Sequence, residues 1–210
     1  MAKIAPFEAH PDDYEAWFDA HPDIYAAEIE AIRRLLPPFK KGVEIGVGSG
    51  RFSLPFGIRE GVEPSEKMAE IARLKGIRTI KGVAEQLPLE DGSYDLAIMV
   101  TTICFVDDVS RSFEEIRRIL TPGGYIIIGF VDRESPIGRL YERNRDRSRF
   151  YQAANFFSTS EVKTFLEAAG FVDIRIVQTL FGESLQEAES GVKEGFGEGS
   201  FVALRAQKKS

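Results

Sequence analysis

Apolar side chains recur along this chain in two alternating rhythms. Ile24, Ala27, Ala31 and Leu35 stand at helical spacing with Tyr25, Ile29, Ile32 and Leu36 beside them, and Pro37-Pro38 closes the run, so 24–36 is predicted as a helix. Residues 42–46 hold the β-branched Val43 and Ile45 and lead into Gly46, Gly48 and Gly50, which predicts a short strand, a glycine turn and a helix starting near Arg51. Val62 marks a second strand. Ser65 is placed to cap a helix through Met68, Ile71 and Ala72 that stops at Gly76, and a third strand is expected over 78–82. The near-continuous apolar runs at 95–100 and 125–131 are the signature of strands buried on both faces. Between them Val109, Phe113, Ile116 and Leu120 form a helical stripe, and Thr121-Pro122-Gly123-Gly124 reads as a turn. Ser158 and Glu161 have capping-box spacing ahead of Val162, Phe165, Leu166 and Ala169, with Gly170 as the stop. Val172, Ile174 and Ile176 then alternate, and a last strand over 200–207 follows with no helix between, which implies an antiparallel pair. The whole predicts an α/β fold: a Rossmann-like, doubly wound, mostly parallel sheet with helices on both faces and one antiparallel strand near its edge.

Composition narrows the setting. The 210 residues fit one domain, and 43% hydrophobic with 29% charged residues is the balance of a globular protein. No apolar stretch approaches a membrane span, and the start lacks the apolar core of a signal peptide, so a cytoplasmic location without membrane attachment is expected. Cys104 is the only cysteine, which removes an internal disulfide and argues against a cysteine-based metal site. A net charge of −6 opposes a broad nucleic-acid footprint.

The chemistry is concentrated in Val43-Glu44-Ile45-Gly46-Val47-Gly48-Ser49-Gly50-Arg51-Phe52. Glycines after a first strand let a ligand lie against bare backbone, although structural glycine turns are equally common. Glu44 would repel a dinucleotide pyrophosphate and suits a ligand carrying ammonium and sulfonium charges. A dinucleotide fingerprint also wants glycine where Arg51 stands; the spacing is G-x-G-x-G.

The segment EIGVGSGRF resembles the first motif of class I S-adenosylmethionine-dependent methyltransferases. Gly61-Val62-Glu63-Pro64-Ser65 is similar to the end of that family's second strand, where an acid takes both ribose hydroxyls, and Glu63 stands in that place. Its removal would then disturb stability little, because it would face a ligand and not the core. Gly82-Val83-Ala84-Glu85-Gln86-Leu87-Pro88 resembles the segment beneath the adenine, with Val83 where an acid often stands; the resemblance carries over backbone contacts near Ala84 and leaves Glu85 between a substitute role and solvent. Ser93-Tyr94-Asp95-Leu96-Ala97-Ile98-Met99-Val100 resembles the fourth-strand motif, which puts Thr101 near the cofactor's methionine portion and leaves Asp95 between a familial role and strand capping. Leu120-Thr121-Pro122-Gly123-Gly124 resembles a structural turn of the family. The resemblance implies a seven-stranded sheet with an antiparallel last strand. The cofactor would be S-adenosylmethionine, without metal, bound by Glu44, Gly46, Gly48, Gly50, Glu63, Ala84 and Thr101. An activated methyl donor needs alignment in a dry pocket more than a protein nucleophile, and no catalytic residue stands out.

Outside these motifs, 1–38 is expected to form a helical extension or lid, with His10 and His21 as packing residues, and 132–157 and 181–199 to carry acceptor specificity. The arginines at 133, 139, 143, 145, 147 and 149 suit either an anionic acceptor or a solvated helix with ion pairs. The acceptor is expected to be a small molecule, with the oligomeric state undetermined. An RNA or protein methyltransferase, a noncatalytic module and, last, a nicotinamide oxidoreductase are the alternatives.

Overall fold

A computed structural model describes residues 3–209. Its eight strands, β1 (Gly42–Ile45), β2 (Glu60–Val62), β3 (Arg78–Ile80), β4 (Tyr94–Val100), β5 (Leu120–Val131), β6 (Phe171–Phe181), β7 (Lys193–Glu194) and β8 (Gly199–Lys208), form one sheet in the order β3-β2-β1-β4-β5-β8-β6-β7. Strands β1 to β5 pair in parallel, and β8 runs antiparallel between β5 and β6. The expected antiparallel last strand is therefore present, but it lies inside the sheet. The eighth strand is the two-residue β7, set in the glycine- and glutamate-rich stretch that periodicity leaves blank.

The alternation in β4 shows why both faces are covered. Leu96, Ile98 and Val100 belong to the core on one side, with Ile24, Ala31 and Ile32 of α3 (Pro22–Leu35), while Ala97 and Met99 belong to the core on the other, with Phe113 and Ile116 of α5 (Val109–Ile119). Helix α7 (Thr159–Ala168) joins the second side through Val162 and Leu166, and its Ser158–Glu161 capping box is complete. Helix α4 (Glu66–Leu74) is capped by Ser65, as its sequence predicts. Two short helices, α1 (Ala5–Ala9) and α2 (Pro11–Ala20), precede α3, and α6 (Pro136–Arg143) follows β5.

Two local expectations are corrected. No α-helix starts near Arg51; turns lead to a short 3-10 segment, Leu54–Phe56, where Pro55 and Gly57 cut the run short. The predicted turn at 121–124 is the start of β5, opposite a register shift between Tyr94 and Leu96.

Candidate active site

The order of strands reverses direction between β1 and β4, and a cavity of about 520 Å³ opens there. Such a switch point is where an open parallel sheet leaves a crevice at the carboxyl ends of its strands. Every loop leaving the five parallel strands reaches it: Gly46 to Gly48 after β1, Glu63 after β2, Val83 to Glu85 after β3, Thr101 and Thr102 after β4, and Val131 closing β5.

The glycine turn hangs from β2. Amides of Gly46 and Val47 donate to Val62 O at 2.8 and 3.1 Å, and that of Gly48 donates to Glu63 Oε2 at 2.7 Å. The other oxygen of Glu63 accepts from Ser65 N at 2.8 Å, so one carboxylate ties two loops together. At Gly48, φ is +53° and an added Cβ would find Met68 Cε no nearer than 3.6 Å, which leaves bare backbone against the cavity. Gly50 differs: it does not line the cavity, and a Cβ there would stand 2.2 Å from Ile77 Cδ1. Its bareness serves packing, so the structure brings six of the seven predicted residues together and sets Gly50 aside.

Thr101 lines the cavity with φ +51°, an uncommon conformation for a β-branched residue, held by its amide donating to Gly129 O at 2.7 Å. Glu85 also lines it, with Oε1 accepting the amide of Asp107 at 2.6 Å. Asp95 is elsewhere; it accepts the amides of Lys40 and Lys41 and braces the start of β1.

The cavity is acidic in depth. Burial raises the carboxyl of Glu44 well above its usual range, against the hydroxyl of Ser53 that donates to it and with the charge of Glu63 adding to the rise. Burial pushes Glu63 up to about 7 despite the two amides it accepts, and Glu28 up to about 8 with no opposing partner. Carboxyls raised in this way favour a cationic ligand, which would return them to the charged form. This donor set fits S-adenosylmethionine.

Aromatic side chains close the other side. Phe7 of α1 packs edge-on against Phe105 and Tyr14 at 5.0 and 5.7 Å and lies 5.5 Å from Phe150, while Tyr141 stacks on Tyr151 at 5.0 Å. The N-terminal helices and the 132–157 segment thus meet over the cavity, where Arg149 pairs with Asp13. From 181–199 only Leu185 reaches it. Of the six arginines, Arg133 and Arg145 pair with Glu161 and Glu142, and Arg147 stands at the cavity. His21 stacks on Trp17 at 4.7 Å, a packing role, and burial pushes the Cys104 thiol up to about 12.

Sequence reasoning passed over Glu28. Glu28 carried a signal: it sits one turn after Ile24 and one before Ile32, a carboxyl on the apolar face of its helix.

Residues 43–128 match a methyltransferase domain family. A crystal structure from Thermotoga maritima, described as an S-adenosylmethionine-dependent methyltransferase and possible histamine N-methyltransferase, is 53% identical, with 97% of this chain and 98% of that one covered at a TM-score of 0.92. An uncharacterized protein of Methanocaldococcus jannaschii is 43% identical over 96% of this chain and 98% of its own. Demethylmenaquinone methyltransferase of Staphylococcus aureus is 25% identical over 65% of this chain and 69% of its own. The chain belongs to the class I S-adenosylmethionine-dependent methyltransferases, and its activity is methyl transfer.

Proposed function

We propose that this methyltransferase binds S-adenosylmethionine along the β1 and β2 loops and passes its methyl group to a small molecule held under the aromatic cover. The cofactor supplies a methyl carbon already activated by its sulfonium. Glu63 offers its remaining lone pairs to the ribose hydroxyls, Gly48 lets the ligand touch backbone, and Ala84 and Val83 lie where the adenine would rest. Glu44 supplies negative charge behind the glycine turn, and Thr101 stands beside the methionine portion.

The observation that carries this reading is the single cavity joining all five strand-end loops, with aromatic side chains from α1, α2 and 132–157 opposite them. Both acceptors named for the relatives, possible histamine and demethylmenaquinone, are small molecules. Arg133, Arg145 and Arg149 are engaged in ion pairs with acids of the same chain, which favours the solvated-helix reading for half of the basic segment. The single cysteine supports a cytoplasmic setting. Among the described residues no helix is long and apolar enough to cross a membrane.

S-adenosylhomocysteine at a hundred times its Kd should stabilise the protein by about 2.7 kcal/mol in thermal unfolding, and NAD should not. Gly48→Val should stay folded by circular dichroism, since the new side chain enters the cavity and the strain of a branched residue at φ +53° is confined to the turn, yet lose that response in calorimetric titration. Wild-type affinity in this variant would remove the glycine turn from the site.

A further inference from the structure

Glu28 is the least explained side chain in the cavity. It is 5% exposed, lies on the sheet-facing side of α3 and lines the cavity, yet no hydrogen bond or ion pair reaches its carboxyl among the described residues. A carboxyl that deep is costly unless something completes it. It shares the lining of this cavity with Tyr14, Tyr141 and Tyr151, whose phenols are raised first by burial and further by its charge. Those tyrosines come from α2, α6 and the segment after it, in the parts of the chain outside the cofactor motifs.

We propose that the acceptor is an amine, that Glu28 receives its nitrogen within this aromatic enclosure, and that the same carboxylate takes the proton the nitrogen must lose before it attacks. The inference rests on the proposed methyl-transfer site. A carboxylate facing aromatic rings selects a cation over a neutral or anionic molecule, because the rings attract the cation through their faces and repel a second anion. Burial alone holds the empty carboxyl at about 8, and an ammonium beside it draws it back to the charged form. The ammonium proton passes to Glu28, and the freed lone pair forms the nitrogen–carbon bond. The carbon–sulfur bond breaks with its electron pair remaining on sulfur, and Glu28 returns the proton to solvent. An alcohol would need a far stronger base, so the same geometry does not serve it.

The test uses the whole protein with S-adenosylhomocysteine bound, and benzylamine, phenethylamine and tryptamine against their hydroxyl and carboxylate counterparts. Calorimetry should show at least one amine binding tenfold or more tighter than its alcohol, with the preference lost in Glu28→Gln while S-adenosylhomocysteine affinity stays within about twofold. With labelled S-adenosylmethionine, the bound amine should be methylated, and Glu28→Gln should slow kcat a hundredfold or more. Glu28→Ala serves if the Gln variant misfolds. Failure of all three amines to bind, equal binding of the alcohols, or unchanged turnover in the variant overturns the proposal. Failure of the parent to bind S-adenosylhomocysteine would instead overturn the cofactor site on which it rests.

Discussion

Glu63 shows how one side chain serves both fold and ligand. The expectation that its loss would leave stability untouched does not survive the structure, because each of its oxygens already accepts a loop amide, from Gly48 at 2.7 Å and from Ser65 at 2.8 Å. Glu63→Ala removes a charged acceptor from the ribose hydroxyls, where each bond is worth about 1.5 to 3 kcal/mol, so affinity for S-adenosylhomocysteine should fall at least tenfold by calorimetry. Two amides are also left without a partner, and thermal unfolding of the ligand-free protein should show a loss of about 2 kcal/mol. Unchanged affinity would withdraw the ribose role, and unchanged stability would show that water replaces both amide contacts. Glu63 was legible in sequence as an acid after a strand, whereas its grip on the glycine turn was not, since that contact spans 15 residues.

Among elements, α2 is held to the glycine turn chiefly by two acids, Glu15 and Asp19. Glu15 accepts from Ser49 Oγ, from Arg51 Nε at 3.2 Å and from Lys75 Nζ at 2.6 Å, and Arg51 also pairs with Asp19 at 3.1 Å. The residue that replaces a fingerprint glycine is thus the tether of the helix covering the cofactor cavity. Glu15→Ala should speed hydrogen exchange across α2, lower overall stability by no more than about 1 kcal/mol, and weaken S-adenosylhomocysteine binding several-fold. Exchange in α2 equal to that of the parent would show that its aromatic contacts suffice. The periodic helices and buried strands here were readable because each repeats its pattern within a few turns. The segment after Arg51 was misread because an apolar run of that length fits a helix as well as a turn, and Pro55 with Gly57 decides it.

For the whole molecule, the buried acids set a pH dependence whose sign follows from their direction of shift. Glu28 moves from 4.5 to about 8 on folding, so the folded state holds more protons than the unfolded one across that interval. Its contribution is complete below pH 4.5 and is lost as pH rises through about 8; Glu63 acts in the same sense up to about 7. The titratable groups that feel the charge of Glu28 are Tyr14 of α2, Tyr25 of α3, Tyr141 of α6 and Tyr151, phenols that burial raises further above this range. Glu28→Gln should therefore match the parent in thermal unfolding near pH 4 and exceed it by about 1 kcal/mol or more near pH 9. Parallel curves would mean that Glu28 is already charged and solvated. The sequence by itself determined the order of strands β1 to β6 and β8 and of helices α3, α4, α5 and α7, the mostly parallel sheet and the loops at its carboxyl ends, because these follow from local periodicity, caps and turns. Only the tertiary structure decided which residues of those loops face the cavity: it turned Gly50 toward Ile77, brought α2 onto the glycine turn, and lined one cavity with Glu28 and with Tyr141 and Tyr151, more than a hundred residues further along the chain. Those outcomes depend on which faces of distant elements meet, and a pattern that repeats every two or every 3.6 residues carries no record of that.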